Sequence, residues 1–316
     1  MDRHLTLEAV RLSEAAALYA SRHMGKGNET QSYESATDAM VKVFSSIDID
    51  GKIIVGSKIE SSPLYDGAEV GSKDGPEVDL AIKPLDGKKT CASGGYNAIS
   101  IAALGEKGAF FECPNLLMKK IAVGKEVGDK VDINMPVDIN IRRVARVKDK
   151  YIEDITICVL DREENRILVE EIRKTGAKIK LLSDGDISGA IATAMEDSPI
   201  DMLMGVGGSK EGIIAAAALK CLNGYMQAKL IFTNNEEKEI ISSMTHNAPS
   251  TVFTINDLAQ GNELLVSATG VTDGAILPGV RYFSGGAETS SLVLRQKTHT
   301  LRMVQAVHHF DYKPVF

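Results

Sequence analysis

The chain has no tryptophan, four cysteines and nine prolines in 316 residues, and only 5% of it is aromatic. Each scarcity excludes something. Cys91, Cys113, Cys158 and Cys221 lie far apart and form no Cys-x-x-Cys pair, so neither a disulfide framework nor a zinc motif is written here. Buried free thiols in a reducing compartment are the expectation. No apolar run approaches the roughly 20 residues of a membrane span. The opening Met1-Asp2-Arg3-His4 leads into an amphipathic segment and not into a signal-peptide core. These readings place the protein in the cytoplasm with no membrane partner. Basic–aromatic stripes are missing, and the formal charge of −7 argues against nucleic acid.

What is present suits an α/β protein. Apolar residues make up 44% of the chain and glycines number 28, enough for one large core or two lobes. Apolar spacing predicts a helix over 5–23, ended by Gly25 and Gly27, and a second over about 33–46. Lys52-Ile53-Ile54-Val55 is strand-like. Val78, Leu80 and Ile82 alternate with Asp79 and Ala81 in a second strand, which Pro84 and Gly87 are expected to end in a turn. From about residue 150 strands and helices alternate: strand 155–160, helix 163–174, strand 177–182, helix 187–195, strand 202–206, helix 213–222. The tail holds strand candidates at 263–269, 290–295 and 300–307. A boundary near 147–153, in the charged Val147-Lys148-Asp149-Lys150-Tyr151 segment, divides an N-terminal lobe, 1–150, from a C-terminal lobe, 151–316.

Three stretches carry candidate chemistry. Gly205-Val206-Gly207-Gly208-Ser209-Lys210-Glu211-Gly212 enters a helix, where backbone N–H groups favour phosphate, yet it fits neither the Walker nor the dinucleotide spacing. By spacing alone, a structural turn and a phosphate site are equally good readings. Asp184-Gly185-Asp186 reads by spacing as a helix cap. Lys83-Pro84-Leu85-Asp86-Gly87-Lys88 sits at a strand's carboxyl end, the usual ligand edge of an open sheet. His308 and His309 fall on opposite faces of a strand and do not converge on a metal.

The Pro84-Leu85-Asp86-Gly87 stretch resembles the Asp-Pro-Leu-Glu-Gly-Thr loop of the lithium-sensitive, metal-dependent sugar phosphatases, and most closely class II fructose-1,6-bisphosphatase. Arg11–Leu18, Gly94–Ala102, Ile121–Gly124, Asp184–Asp186 and Ser267–Gly270 are similar to the same family. The resemblance implies a layered α/β, inositol-monophosphatase-like fold in two lobes, a sugar-phosphate substrate and Mg²⁺ or Mn²⁺. It implies substrate contacts from Arg162, Asp184, Gly185, Asp186, Gly207 and Gly208. Of five carboxylates that it sets around the metals, Asp86 and Glu211 remain, as residual ligands, while Tyr33, Ser57 and Lys83 replace the others. Glu29, Lys88, Leu117, Lys119 and Glu164 are further departures at site positions. Divalent cations need several oxygen ligands. The expectation is therefore an impaired, regulatory relative that keeps a partial sugar-phosphate pocket, as a homo-oligomer or with an active paralogue, and needs no metal. The alternative is an active, Mg²⁺- or Mn²⁺-dependent enzyme of gluconeogenesis with Glu60 brought into a refolded site.

Overall fold

The computed structural model of the chain describes residues 5–57, 61–245 and 251–312. Helix α1, Leu5–Ser21, is followed by α2, Glu29–Phe44, strand β1, Asp50–Val55, and the short β2, Glu69–Val70. Strand β3, Glu77–Asp86, runs into the one-and-a-half-turn helix α3, Lys88–Ser93, and β4 spans Ile99–Gly105. The chain continues through β5, Leu117–Val123, α4, Val137–Lys148, β6, Thr156–Leu160, α5, Arg166–Thr175, and β7, Lys178–Leu182. Next come α6, Ile187–Ala192, β8, Met202–Gly208, α7, Ser209–Cys221, β9, Tyr225–Ile231, and α8, Asn235–Thr245. The pair β10, Phe253–Thr254, and α9, Ile255–Leu258, precede the returning strands β11, Leu265–Gly270, β12, Arg281–Phe283, β13, Gly286–Arg295, and β14, Thr300–His309.

Two compact units result: Met1–Phe110 with Gly261–Phe316, and Phe111–Gln260. The expected boundary at 147–153 falls inside the second unit, at the end of α4. Strand pairing explains the difference. β11 returns to pair antiparallel with β4 along its whole length, so the tail completes the first unit's sheet. β5 instead pairs with β8 and β9 and belongs to the second.

The first unit's sheet has the order β12-β13-β11-β4-β3-β1-β2, with β14 on the far side of β13. Helices α1 and α2 cover one face, and Leu12, Met40 and Phe44 pack with Ile53, Leu80, Ile82 and Leu104. Each such fully buried side chain contributes about 1.5–3 kcal/mol. Helix α2, expected from about residue 33, begins at Glu29, so Glu29 and Tyr33 both lie on it. The reason is Asn28, whose side chain accepts from the N–H of Gln31 at 3.0 Å and starts the helix there. Pro84, expected to end its strand, lies inside β3. Its β1 pairing stops at Ala81, and its register against β4 shifts between Lys83 and Asp86, so a residue without an N–H costs nothing there.

The second unit's sheet has the order β10-β9-β5-β8-β6-β7. Ile141 and Val144 of α4 and Ile172 of α5 pack with Ile121, Ile157, Val159 and Met204. Gly189 of α6 meets Cys158, Leu182 and Leu203, side chains carried by the next residues along the strands, so helices layer both faces. Alternating strands and helices thus build a layered α/β fold. Among the described residues no helix is long and apolar enough to cross a membrane.

Candidate functional site

In the second unit β6 runs parallel to both β7 and β8, so three carboxyl ends point the same way. That edge is where open sheets bind ligands. Arg162 follows β6, Asp184-Gly185-Asp186 follows β7, and Gly207-Gly208 closes β8. The Asp161 N–H donates to the Leu182 carbonyl at 2.8 Å, which ties the first two ends together. Arg162 Nη2 then lies 3.7 Å from Asp184 Oδ1. Gly185 has φ +74°, a turn geometry that a side chain resists. All six expected substrate residues therefore occupy one edge.

Asp186 stands at the N-cap position of α6 but makes no side-chain cap bond. Its carboxylate is instead paired with the ammonium of Lys120, which also donates to the Gly208 carbonyl at 3.1 Å. Lys120 is 2% exposed and Asp186 is buried with it. A Cβ at Gly207 would overlap this pair, and one at Gly208 would overlap the Glu211 carboxylate. The glycines are thus required by close approach of charged side chains. The expected loop 205–212 is not a loop: Gly205–Gly208 are strand paired with Lys120–Leu117, and α7 begins at Ser209. Glu211, in the first turn of α7, folds back over Gly208, so the helix start already holds a carboxylate.

Two residues escaped the reading of the sequence. Lys120 sits in an apolar run where its neighbour Lys119 is equally basic; only the strand period separates them, sending Lys119 toward the Ile133 carbonyl at 3.3 Å. Asn165, buried, donates to the Leu160 and Val206 carbonyls at 2.9 and 3.0 Å and accepts from the Val206 N–H at 2.7 Å. It fixes the Arg162 turn to β8. Gly205, at φ +127°, leaves room for that amide.

In the first unit the end of β3 carries the other candidate residues. Asp86 is buried and Lys83 half-buried. Gly87 turns the chain at φ +85° into α3, and the Lys88 ammonium lies 5.5 Å from the centre of the Tyr33 ring. That distance suits a cation over an aromatic face. Ser57 is buried, and its N–H donates to the Leu64 carbonyl at 2.7 Å. Glu60, expected to reach this site in a refolded loop, lies outside the described residues.

A model of the family described as bacterial fructose-1,6-bisphosphatase, glpX-encoded, matches residues 3–308. The chain belongs to the class II fructose-1,6-bisphosphatase family. A relative from Synechococcus elongatus, named D-fructose 1,6-bisphosphatase class 2/sedoheptulose 1,7-bisphosphatase, is 35% identical over 337 aligned positions, covering 98% of each chain. A relative of the same name from Synechococcus sp. strain JA-2-3B'a(2-13) is 34% identical, covering 98% of this chain and 97% of its own. Class II fructose-1,6-bisphosphatases are metal-dependent phosphatases. In this member, no three His, Cys, Asp or Glu side chains among the described residues are placed to share one ion. Asp86 brings a carboxylate and Lys83, on the same strand, an ammonium. Several oxygen ligands suit a divalent cation, whereas an ammonium repels one.

Proposed function

We propose that this protein is a sugar-phosphate-binding member of the class II fructose-1,6-bisphosphatase family in which hydrolysis is impaired. The observation that carries the reading is Lys83, a half-buried cation on β3 where the family resemblance sets an acid. It stands three residues before the buried Asp86 on the same strand, and supplies by itself positive charge that a bound ion would otherwise bring. Lys88, on the next turn, adds a second ammonium.

The second unit supports binding without a metal. Arg162 presents a planar fork for phosphate oxygens. Asp184, beside it, and Asp186, whose second oxygen is not the one held by Lys120, are acceptors for sugar hydroxyls. Asp86 and Glu211 remain as weak ligands at most, and Mg²⁺ or Mn²⁺ is not required for the ligand to bind. A cytoplasmic regulatory role follows, with the chain acting alone or assembled with an active paralogue. The second reading is a working fructose-1,6-bisphosphatase, favoured by the 98% coverage of a relative that bears that name.

Phosphate release from fructose 1,6-bisphosphate and sedoheptulose 1,7-bisphosphate, in Mg²⁺ and in Mn²⁺, separates the two. The expected rate is at least about 100-fold below an active family member assayed alongside, since disturbing even the groups behind a metal's ligands costs 10–100-fold. Turnover comparable with that enzyme overturns the proposal.

A further inference from the structure

Lysine is almost never fully buried unless it is paired. Lys120 is 2% exposed, in the middle of β5. Its register partner on β8 is Gly205, yet its ammonium reaches farther along that strand, to the Gly208 carbonyl. A Cβ at Gly207 would come within 2.8 Å of Lys120 Nζ, and one at Gly212 within 3.3 Å of its Cδ. Glycines therefore keep open the path that carries a charge from the middle of β5 to the carboxyl end of β8.

An aspartate just before a helix ordinarily accepts from the N–H groups of the first turn. Asp186 stands there before α6, with φ −97° and ψ −4°, and makes no such bond. Lys120 holds its Oδ2 instead, and the ammonium's second bond, to the Gly208 carbonyl at 3.1 Å, fixes where that oxygen sits. No bond to Oδ1 is formed among the described residues, although only 7% of the Asp186 side chain is exposed. One oxygen is clamped and the other is left as an acceptor. Charge balance suits a phosphate ester at the same edge. Arg162 faces Asp184 at 3.7 Å and Lys120 faces Asp186, so each of these carboxylates has its own cation. A phosphate arriving there meets no net negative charge from the two acids.

We propose, on the sugar-phosphate reading above, that Lys120 is the positioning residue of this edge. By diverting Asp186 from capping α6 it makes the carboxylate a reader of ligand hydroxyls. An ionised carboxylate accepts and cannot donate, so it selects a ligand that brings O–H groups beside its phosphate. Lys120 thereby sets a preference for polyol phosphate esters over esters that carry no hydroxyl. A pair kept for stability alone would behave differently: it would have no effect on which ester binds once the fold is restored.

Chemical-shift titrations of the full chain, in chelator, with fructose 6-phosphate and with methyl phosphate test this. The two ligands carry the same charged group and differ in their hydroxyls. The parent is expected to prefer the sugar ester. Lys120→Met should lower that preference at least about tenfold, roughly 1.4 kcal/mol, the size of one hydrogen bond to a charged group. Lys120→Met/Asp186→Asn keeps the net charge and leaves no buried charge unpaired, so its melting temperature should return toward the parent's. Its preference should stay low, because nothing on β5 then holds the side chain that replaces the carboxylate. A preference unchanged in Lys120→Met, or regained with stability in the double variant, overturns the proposal and leaves the sugar-phosphate pocket standing. A parent that binds the two esters equally overturns the pocket reading, and the role of Lys120 with it.

Discussion

Replacing Lys120 by methionine leaves the Asp186 carboxylate buried without its ammonium, and replacing Asp186 by asparagine strands the charge on Lys120. Each change is expected to cost about 3–5 kcal/mol, the usual penalty for breaking a buried pair. The double variant should recover much of the loss, and denaturant titrations around the cycle measure it; additive costs would show that the pair is not a unit. Lys83 calls for a different experiment. Lys83→Asp removes a cation and adds an acid to the end of the strand that carries buried Asp86. It is expected to lower stability by about 1–3 kcal/mol and to regain part of that in millimolar Mn²⁺, by preferential binding to the folded state. An unchanged melting temperature with and without Mn²⁺ would show that Lys83 does not stand in for a metal. The strand ends that carry Arg162, Asp184, Gly185, Asp186, Gly207 and Gly208 were legible from the sequence, and the six residues share one sheet edge. The partner that buries Asp186 was not, because nothing local distinguishes Lys120 from Lys119.

Elements were legible where apolar period and punctuation agree, as in α1, β6 and α5, the last closed by Gly176 at φ +88°. They were misjudged where tertiary pairing overrides local chemistry. Pro84 continues β3 because β1 has already left it, and Gly205–Gly208 extend β8 because β5 lies alongside. Asp201, leading into β8, shows how such a start is held. Its buried carboxylate accepts from the Thr156 N–H at 2.9 Å and Lys150 at 2.8 Å, and lies 3.2 Å from Lys148. Burial pushes its pKa up, but Lys150, the Thr156 N–H and Lys148 outweigh it, and the net shift is downward. A depressed carboxylate pKa stabilises the fold above its unfolded value of about 3.9, and that contribution is lost as pH falls through the lower folded value. Asp201→Asn should therefore destabilise the protein at neutral pH and flatten the acid limb of its stability curve. A variant whose acid limb matches the parent's would contradict this account of the α4–β6–β8 junction.

For the whole molecule, composition indicated an α/β chain with reduced thiols, while the division into units stayed hidden because β11, β13 and β14 return across more than 150 residues to a sheet begun at β1. No local signal at 147–153 reports such long-range pairing. The thiol reading has a direct consequence. Burial pushes Cys91 up to about 11 and Cys158 and Cys221 up to about 12, and Cys113 is buried as well. Thiolate, the reactive form, is thus suppressed at neutral pH. A disulfide reagent should find no fast-reacting thiol in the native protein and four after denaturation; one fast thiol in the native state contradicts this packing. The account's central claim is that a sugar-phosphate pocket persists while metal-dependent hydrolysis is lost. Calorimetric titration with fructose 1,6-bisphosphate, once in chelator and once in millimolar Mn²⁺, tests both halves on the same protein. The account predicts saturable binding of equal affinity in the two buffers, with heat returning to baseline after each injection. Binding that appears only with Mn²⁺, or a sustained heat of hydrolysis, would contradict it.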